Sequence, residues 1–539
     1  MSHHDHDVTS WDLFTGHWDG GTTICSPYFE TLITGDISLG QTGTGEHTFG
    51  GRYVPMSVMT GGLAESWETL EDPLRLVFYL REGIYWQGVP GVMPRREFVA
   101  DDVVFSYEKR THHPLWGIEA LPTYHDWVDE FVATDKYTVT LMINYLYPDW
   151  GVWMGYGGPI PGNIIPEELV DAGIADWRNH VGLGTGPWLL ENFVTASSVE
   201  YTRNPEHWRT TTIDGVVYDL PFTDKYIHTI IVDEAIRLAA LRTGTLDICM
   251  KIPWTYSASL AASNPELVEW SADNWDFFEI GPRHDTPPFD QKDVRQAMSM
   301  AIDRDYIVDT LYGGYGLKYN WPQPIAWGES VHTPMDQYPA EIQKMYQYHP
   351  EDAKEMLTLA GFPDGFKCEV IYGGGETVAP VIADILSLVK DYWWDNLNIE
   401  LTLVPLDEAA YSAELENKTL KHMMAGFENS PTPCIGIEEW THPGVYNNVF
   451  FWVHPDMLGL RTSYYAATTD AEQASLLKQM EYLIVEDMVS IFLPVPDIMR
   501  YSWPWVMNYQ GEAMNAYRTS VNLMSIIWID QDLKAEMGY

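Results

Sequence analysis

Apolar positions along this chain follow two alternating periods, one of strands and one of helices. Leu76-Val77-Phe78-Tyr79-Leu80 reads as a strand, with Leu76, Phe78 and Leu80 on one face and Gly83 as the break after it. Asp101 and Asp102 open a predicted helix through Arg110, with Val103, Val104 and Tyr107 at helical spacing. The strongest helical pattern runs over residues 293–311, carried by Val294, Ala297, Met298, Ala301, Ile302 and Val308. Asp290 is its expected N-cap and Gly313-Gly314 its stop. Pro287-Pro288 separates it from a strand at residues 277–280, because proline cannot continue either ladder.

Farther on, residues 351–359 predict a helix ended at Gly361. A turn through Phe362-Pro363-Asp364-Gly365-Phe366 leads into a strand at residues 367–372. A helix at about 381–394 and a strand at 399–404 follow. This strand–helix–strand order predicts an α/β architecture with a mostly parallel sheet.

Size and charge narrow the picture. The chain has 539 residues, and single cores stop growing at roughly 250–300 residues, so two or three lobes are expected. No apolar run reaches the roughly 18 residues a membrane span requires. Against 31 Lys+Arg stand 77 Asp+Glu, a net charge of −46, which repels nucleic acid and anionic lipid and keeps a protein soluble and monomeric. Cys25, Cys249, Cys368 and Cys434 are far apart and contain no C-x-x-C pair, which argues against a zinc site. Disulfides and buried thiols both remain open. His3, His4 and His6, with Asp5 and Asp7, have the chemistry of a metal-binding tract but read as a flexible terminus. No cofactor or metal is expected.

The chemistry of an enzyme is missing from the pattern. There is no G-x-S-x-G, H-E-x-x-H, Walker A or G-x-G-x-x-G motif. A glycoside hydrolase is the remaining enzymatic alternative, but among 77 acidic residues a carboxylate pair can always be nominated. The 23 Trp and 32 Tyr against 18 Phe suit binding faces, since both combine apolar area with a hydrogen-bonding tip.

Several segments, in order, carry a family resemblance. They are Gly62-Leu63-Ala64-Glu65-Ser66-Trp67-Glu68, Leu80-Arg81-Glu82-Gly83-Ile84, and Ala100-Asp101-Asp102-Val103-Val104-Phe105-Ser106-Tyr107. Then come Gly184-Thr185-Gly186-Pro187-Trp188 and Arg203-Asn204-Pro205-Glu206-His207-Trp208. Asp293-Val294-Arg295-Gln296-Ala297 through Ala301-Ile302-Asp303-Arg304, Gly361–Phe366, and Glu486-Asp487 to Ile491-Phe492-Leu493-Pro494 complete the set. Together they resemble the extracytoplasmic solute-binding proteins of the dipeptide, oligopeptide and nickel ABC importers (family 5). The family's opening apolar strand has no counterpart in the sequence, and only Ser10–Phe14 could stand for its next segment.

The resemblance implies a two-lobed periplasmic-binding-protein-like fold. Lobe I would be residues 1–275, with an extra subdomain inserted at about 46–185, and lobe II residues 276–496. Residues 497–539 would return to lobe I, with crossings near 275–281 and 493–499. It implies a hinged monomer without catalytic activity that closes on a solute and delivers it to a membrane permease. The chain opens Met-Ser-His-His-Asp-His-Asp, which lacks the basic and apolar regions of a signal peptide and by itself predicts a cytoplasmic protein. The resemblance instead implies a periplasmic or extracellular protein, free or lipid-anchored, whose leader and first strand have been lost.

It also places solute contacts. Trp18 and Asp19 fall in the N-terminal cleft loop, Trp116 near a cleft aromatic, and Phe427, Glu428, Asn429 and Ser430 in a loop of the second lobe. In peptide-binding relatives an Asp of that loop receives the α-ammonium. Here Asn429 or Ser430 takes its place, with Glu428 adjacent, and Glu408 stands where a Trp is usual. A peptide or peptide-like solute is the first reading and an oligosaccharide the second.

Overall fold

The computed structural model describes residues 2–4, 7–8, 10–14, 24–51, 53–111, 127–155, 162–272, 274, 276–328, 330–373, 379–428, 430, 432–442, 445, 448–516 and 519–539. The chain forms two compact units, Met1–Ala272 with Ile498–Tyr539, and Asp273–Asp497.

In the first unit, Ala64–Glu71, Leu74–Leu80, Thr138–Ile143 and Val128–Asp135 form an antiparallel four-stranded sheet in that order. Leu76, Phe78 and Leu80 are buried as the alternation predicts, while Tyr79 is exposed. The helix Ala100–Thr111 starts where Asp101 and Asp102 announce it. Asp102 does its capping from inside the first turn, accepting the Val99 backbone N–H at 3.0 Å. The same carboxylate takes the Trp86 indole N–H at 3.1 Å and the Arg96 guanidinium at 2.6 Å, and Arg96 also grips Glu168.

A second four-stranded sheet has the order Ser2–His4, Lys225–Ile230, Ser198–Arg203, Trp188–Val194. Its first pair is parallel, Ser2 opposite His228 and His4 opposite Ile230. The expectation of a flexible terminus and a missing first strand is therefore corrected for Ser2–His4, while Asp5 and His6 lie outside the described residues. Backbone pairing alone places the polar Ser-His-His segment at this edge, which hydrophobic patterning could not reveal. A third sheet has the returning strand Ile498–Ser502 at its centre, between Ile248–Ile252 and Val268–Ala272. The C-terminal segment is thereby stitched into the first unit.

The glycines at 184 and 186 have a steric reason. Gly184 has φ +143°, and a Cβ there would sit 2.2 Å from the Tyr28 carbonyl oxygen. A Cβ on Gly186 would sit 2.6 Å from that of Pro27. Only glycine lets this segment lie against Pro27–Tyr28.

The second unit is built on a five-stranded sheet in the order Glu400–Pro405, Lys367–Tyr372, Met423–Glu428, Phe277–Pro282, Ile491–Leu493. The first three are parallel, and Phe277–Pro282 runs antiparallel to both of its neighbours. The mostly parallel sheet thus becomes a mixed one. Strands joined by crossover helices are parallel, whereas Phe277–Pro282 brings the chain into the unit and has no crossover that fixes its direction. Helices Pro350–Leu359 and Ala379–Leu397 match their predicted positions.

The predicted helix over residues 293–311 is two helices, Lys292–Met300 and Arg304–Leu311. Gln291, not Asp290, is the first N-cap, and it makes no side-chain cap. Asp303 breaks the pattern: its backbone is extended, and its carboxylate accepts the Tyr306 N–H at 2.9 Å, which starts a new helix. Arg304 is almost fully buried and, among the described residues, has no carboxylate partner. It donates to the carbonyls of Ser299 at 3.0 Å, Tyr346 at 3.2 Å and Phe492 at 2.9 Å. Arg295 likewise holds the carbonyls of Phe289, Asp487 and Met488 at 2.7, 2.6 and 3.0 Å. Two motifs nearly 200 residues apart in sequence are thus one guanidinium-to-backbone clamp.

All four cysteines are buried thiols. Among the described residues, no helix is long and apolar enough to cross a membrane, and no cluster of His, Cys, Asp or Glu could hold a metal.

Candidate ligand-binding site

The Met423–Glu428 strand delivers the second-lobe loop. Phe427 ends up half-buried, its ring edge-on to Phe278 with centroids 4.9 Å apart. Glu428 closes the strand opposite Phe277. Ser430 is 1% exposed, and its hydroxyl donates to the Glu439 carboxylate at 2.5 Å. Thr432 then caps the helix Pro433–Thr441, accepting the Ile435 N–H at 3.2 Å. This helix is anchored to the sheet by Trp440, whose indole N–H donates to Glu279 at 3.1 Å. Burial raises the Glu279 carboxyl to about 7. On the same helix Glu438 accepts from Tyr465, and burial pushes the Tyr465 phenol up.

Of the sequence-derived candidates, Phe427, Glu428 and Ser430 therefore come together on one strand end and its loop. Trp18, Asp19, Trp116 and Asn429 lie outside the described residues, as does the side chain of Glu428.

Sequence reasoning missed a second polar centre, inside the first unit. Glu30 is buried, and the Trp208 indole N–H reaches both of its oxygens at 3.2 Å. Arg81 and Arg209 lie over the Trp208 ring, 4.3 and 4.6 Å from its centroid. Burial raises the Glu30 carboxyl to about 7, although both guanidiniums oppose that rise. Asn163, Thr34 and Asn522 share a small recess with Glu30 and Arg209. A signal was available: Glu30 is the single charge in the otherwise uncharged run Ile24–Gly35.

Residues 58–448 match the bacterial extracellular solute-binding proteins, family 5 Middle. The chain belongs to that family. Among relatives of this family 5 protein, Heme-binding protein A of Haemophilus influenzae is 26% identical over 318 residues, 57% of this chain. The chain spans 54% of that relative's length, about half. Di/tripeptide-binding protein 1 of Pseudomonas aeruginosa is 24% identical over 446 residues, 79% of each chain. The periplasmic binding protein DppA of Helicobacter pylori, solved with the peptide STSA, superposes with a TM-score of 0.75 at 18% identity, covering 98% of both chains. The two-lobed α/β fold of periplasmic binding proteins is thereby shown.

Proposed function

We propose that this family 5 protein is the solute-binding component of an ABC importer, that it captures a peptide or peptide-like solute, and that it hands it to a membrane permease. Its family membership carries the reading, and the di/tripeptide-binding relative and the peptide-bound structural neighbour direct it to peptides. The contacts proposed are Phe427, Glu428, Asn429 and Ser430 of the second unit, with Trp18, Asp19 and Trp116 of the first. Glu428 supplies the carboxylate for an α-ammonium, a charge-assisted contact. Ser430 sets the loop through Glu439. The protein works as a monomer outside the cytoplasm, free or lipid-tethered, binds no nucleic acid and carries out no chemistry. Residues 46–185 form a subdomain of lobe I around the sheet that includes Ala64–Glu71 and Thr138–Ile143.

An oligosaccharide is the second reading, favoured by the neutral Asn429-Ser430 pair at the ammonium-binding position. Thermal-shift screening separates the two, because a bound solute raises apparent stability by mass action. Di- to pentapeptides are expected to raise the melting temperature, and Glu428→Ala and Trp116→Ala to abolish that rise while leaving the unliganded melting temperature nearly unchanged. A response to cello-, xylo- or malto-oligosaccharides alone supports the second reading. Hydrolysis of a chromogenic glycoside in proportion to protein would overturn the non-catalytic reading.

A further inference from the structure

The cations of this chain are spent in ways that offset little of its −46 charge. Arg295, Arg304 and Arg500 are almost fully buried and turn their N–H groups toward backbone carbonyls, Arg500 reaching that of Gly50 at 2.9 Å. Their charge is thus held in the interior, away from the surface acids. At the surface, Lys136, Lys225, Lys344 and Lys367 hold Glu97, Glu191, Asp352 and Glu400 at 2.6, 2.9, 2.7 and 2.6 Å, one acid each. The antiparallel sheet of the first unit shows the result. Its two outer strands are Ala64–Glu71 and Val128–Asp135. Glu65, Glu68 and Glu71 are exposed on one, Asp129, Glu130 and Asp135 on the other, and neither strand contains Lys or Arg. Charge on an outer strand guards it against addition of a further strand. Here acids alone supply it.

We propose that the folded state of this protein depends on monovalent salt at about molar concentration, which screens the mutual repulsion of its surface acids. A net charge this far from zero works against the compact state, because unfolding moves like charges apart. Spacing sets the salt required. Glu65, Glu68 and Glu71 follow one another every third residue, about 10 Å along an extended backbone. The screening length is about 8 Å at 0.15 M salt and about 3 Å at 1 M. Repulsion across about 10 Å therefore survives at the lower concentration and is nearly erased at the higher. The salt acts as a diffuse atmosphere and not as a ligand, so sodium and potassium are equivalent. In agreement, no cluster of His, Cys, Asp or Glu among the described residues could hold a metal ion. This dependence is a property of the whole surface and is separate from the solute contacts proposed at Phe427–Ser430.

Melting of the full chain, followed by circular dichroism at neutral pH in NaCl and in KCl, tests the proposal. Between about 0.1 M and about 2 M of either salt the melting temperature is expected to rise by about 10 °C or more. A flat or falling melting temperature overturns the proposal, as does a rise with only one of the two cations. Sucrose at matched osmolality separates screening from solute exclusion, since it stabilises without screening charge. A rise in sucrose equal to that in salt also overturns the proposal. The combined variant Glu65→Gln, Glu71→Gln, Asp129→Asn and Glu130→Gln removes four exposed charges from the two outer strands while keeping side-chain size. It is expected to melt higher than the wild type at about 0.1 M salt and to gain less from added salt. A variant with the same salt response as the wild type contradicts the assignment of repulsion to these strands.

Discussion

The Ser430 hydroxyl and the Glu439 carboxylate are 2.5 Å apart, joining the loop after the Met423–Glu428 strand to the second turn of the helix Pro433–Thr441. That helix is in turn held to the central strand by Trp440 and Glu279. Ser430 is thus a buried hydroxyl that holds an acid, Glu439, in place.

Ser430→Ala tests this role. Loss of a buried charge-assisted bond is expected to cost about 1–3 kcal/mol in urea unfolding. Solute affinity should fall as well, because the loop that bears Phe427 and Glu428 loses its tether. Unchanged affinity with reduced stability would restrict Ser430 to a structural role.

Arg304→Lys is expected to be severe although the charge is kept. Arg304 fills carbonyls of Ser299, Tyr346 and Phe492 and the Ser299 hydroxyl from one planar fork, which a single ammonium cannot reproduce. A loss of roughly 3–5 kcal/mol in urea unfolding is predicted, in the range for breaking a buried charged network. Arg295→Lys should act in the same direction through Met488, Asp487 and Phe289.

Glu481 gives the second unit a pH dependence. It is fully buried, Thr333 donates to one oxygen at 3.0 Å, and the other oxygen has no partner among the described residues. Burial raises its carboxyl from 4.5 to about 8, so the folded state holds a proton that the unfolded chain releases near pH 4.5. The stability it contributes is complete below about pH 4.5 and is lost as pH rises through about 8. Glu481→Gln should flatten the decline in urea midpoint between about pH 5 and about pH 9, removing roughly 4 kcal/mol of pH-dependent loss.

The thiols should be inert in the folded protein. Burial raises Cys25, Cys249 and Cys368 to about 12, where the reactive thiolate is scarce at neutral pH. Iodoacetamide is expected to label none of these three under native conditions and all of them in guanidinium. Reducing agent should leave the melting temperature unchanged.

Sequence periodicity located elements whose patterns are local. Lys367–Tyr372, Pro350–Leu359 and Leu74–Leu80 lie where their alternation and flanking glycines put them. It failed where a side chain acted against the pattern. Asp303 reads as one polar residue on a helix face, but its capping bond to Tyr306 splits that helix. It also failed where partners are remote: Glu30 and Trp208 are 178 residues apart, and no local period brings them together. The resemblance drew attention to Asn429 and Ser430 in the second-lobe loop, but the Glu439 that engages Ser430 was not legible, since it is one of 77 acidic residues.

Native mass spectrometry of the full chain tests solute capture most directly. The protein is incubated with equimolar tripeptides and the trisaccharides maltotriose, xylotriose and cellotriose. The account predicts one retained mass per protein matching a tripeptide, lost in Glu428→Ala. Retention of a trisaccharide alone, or of no added solute, would contradict it.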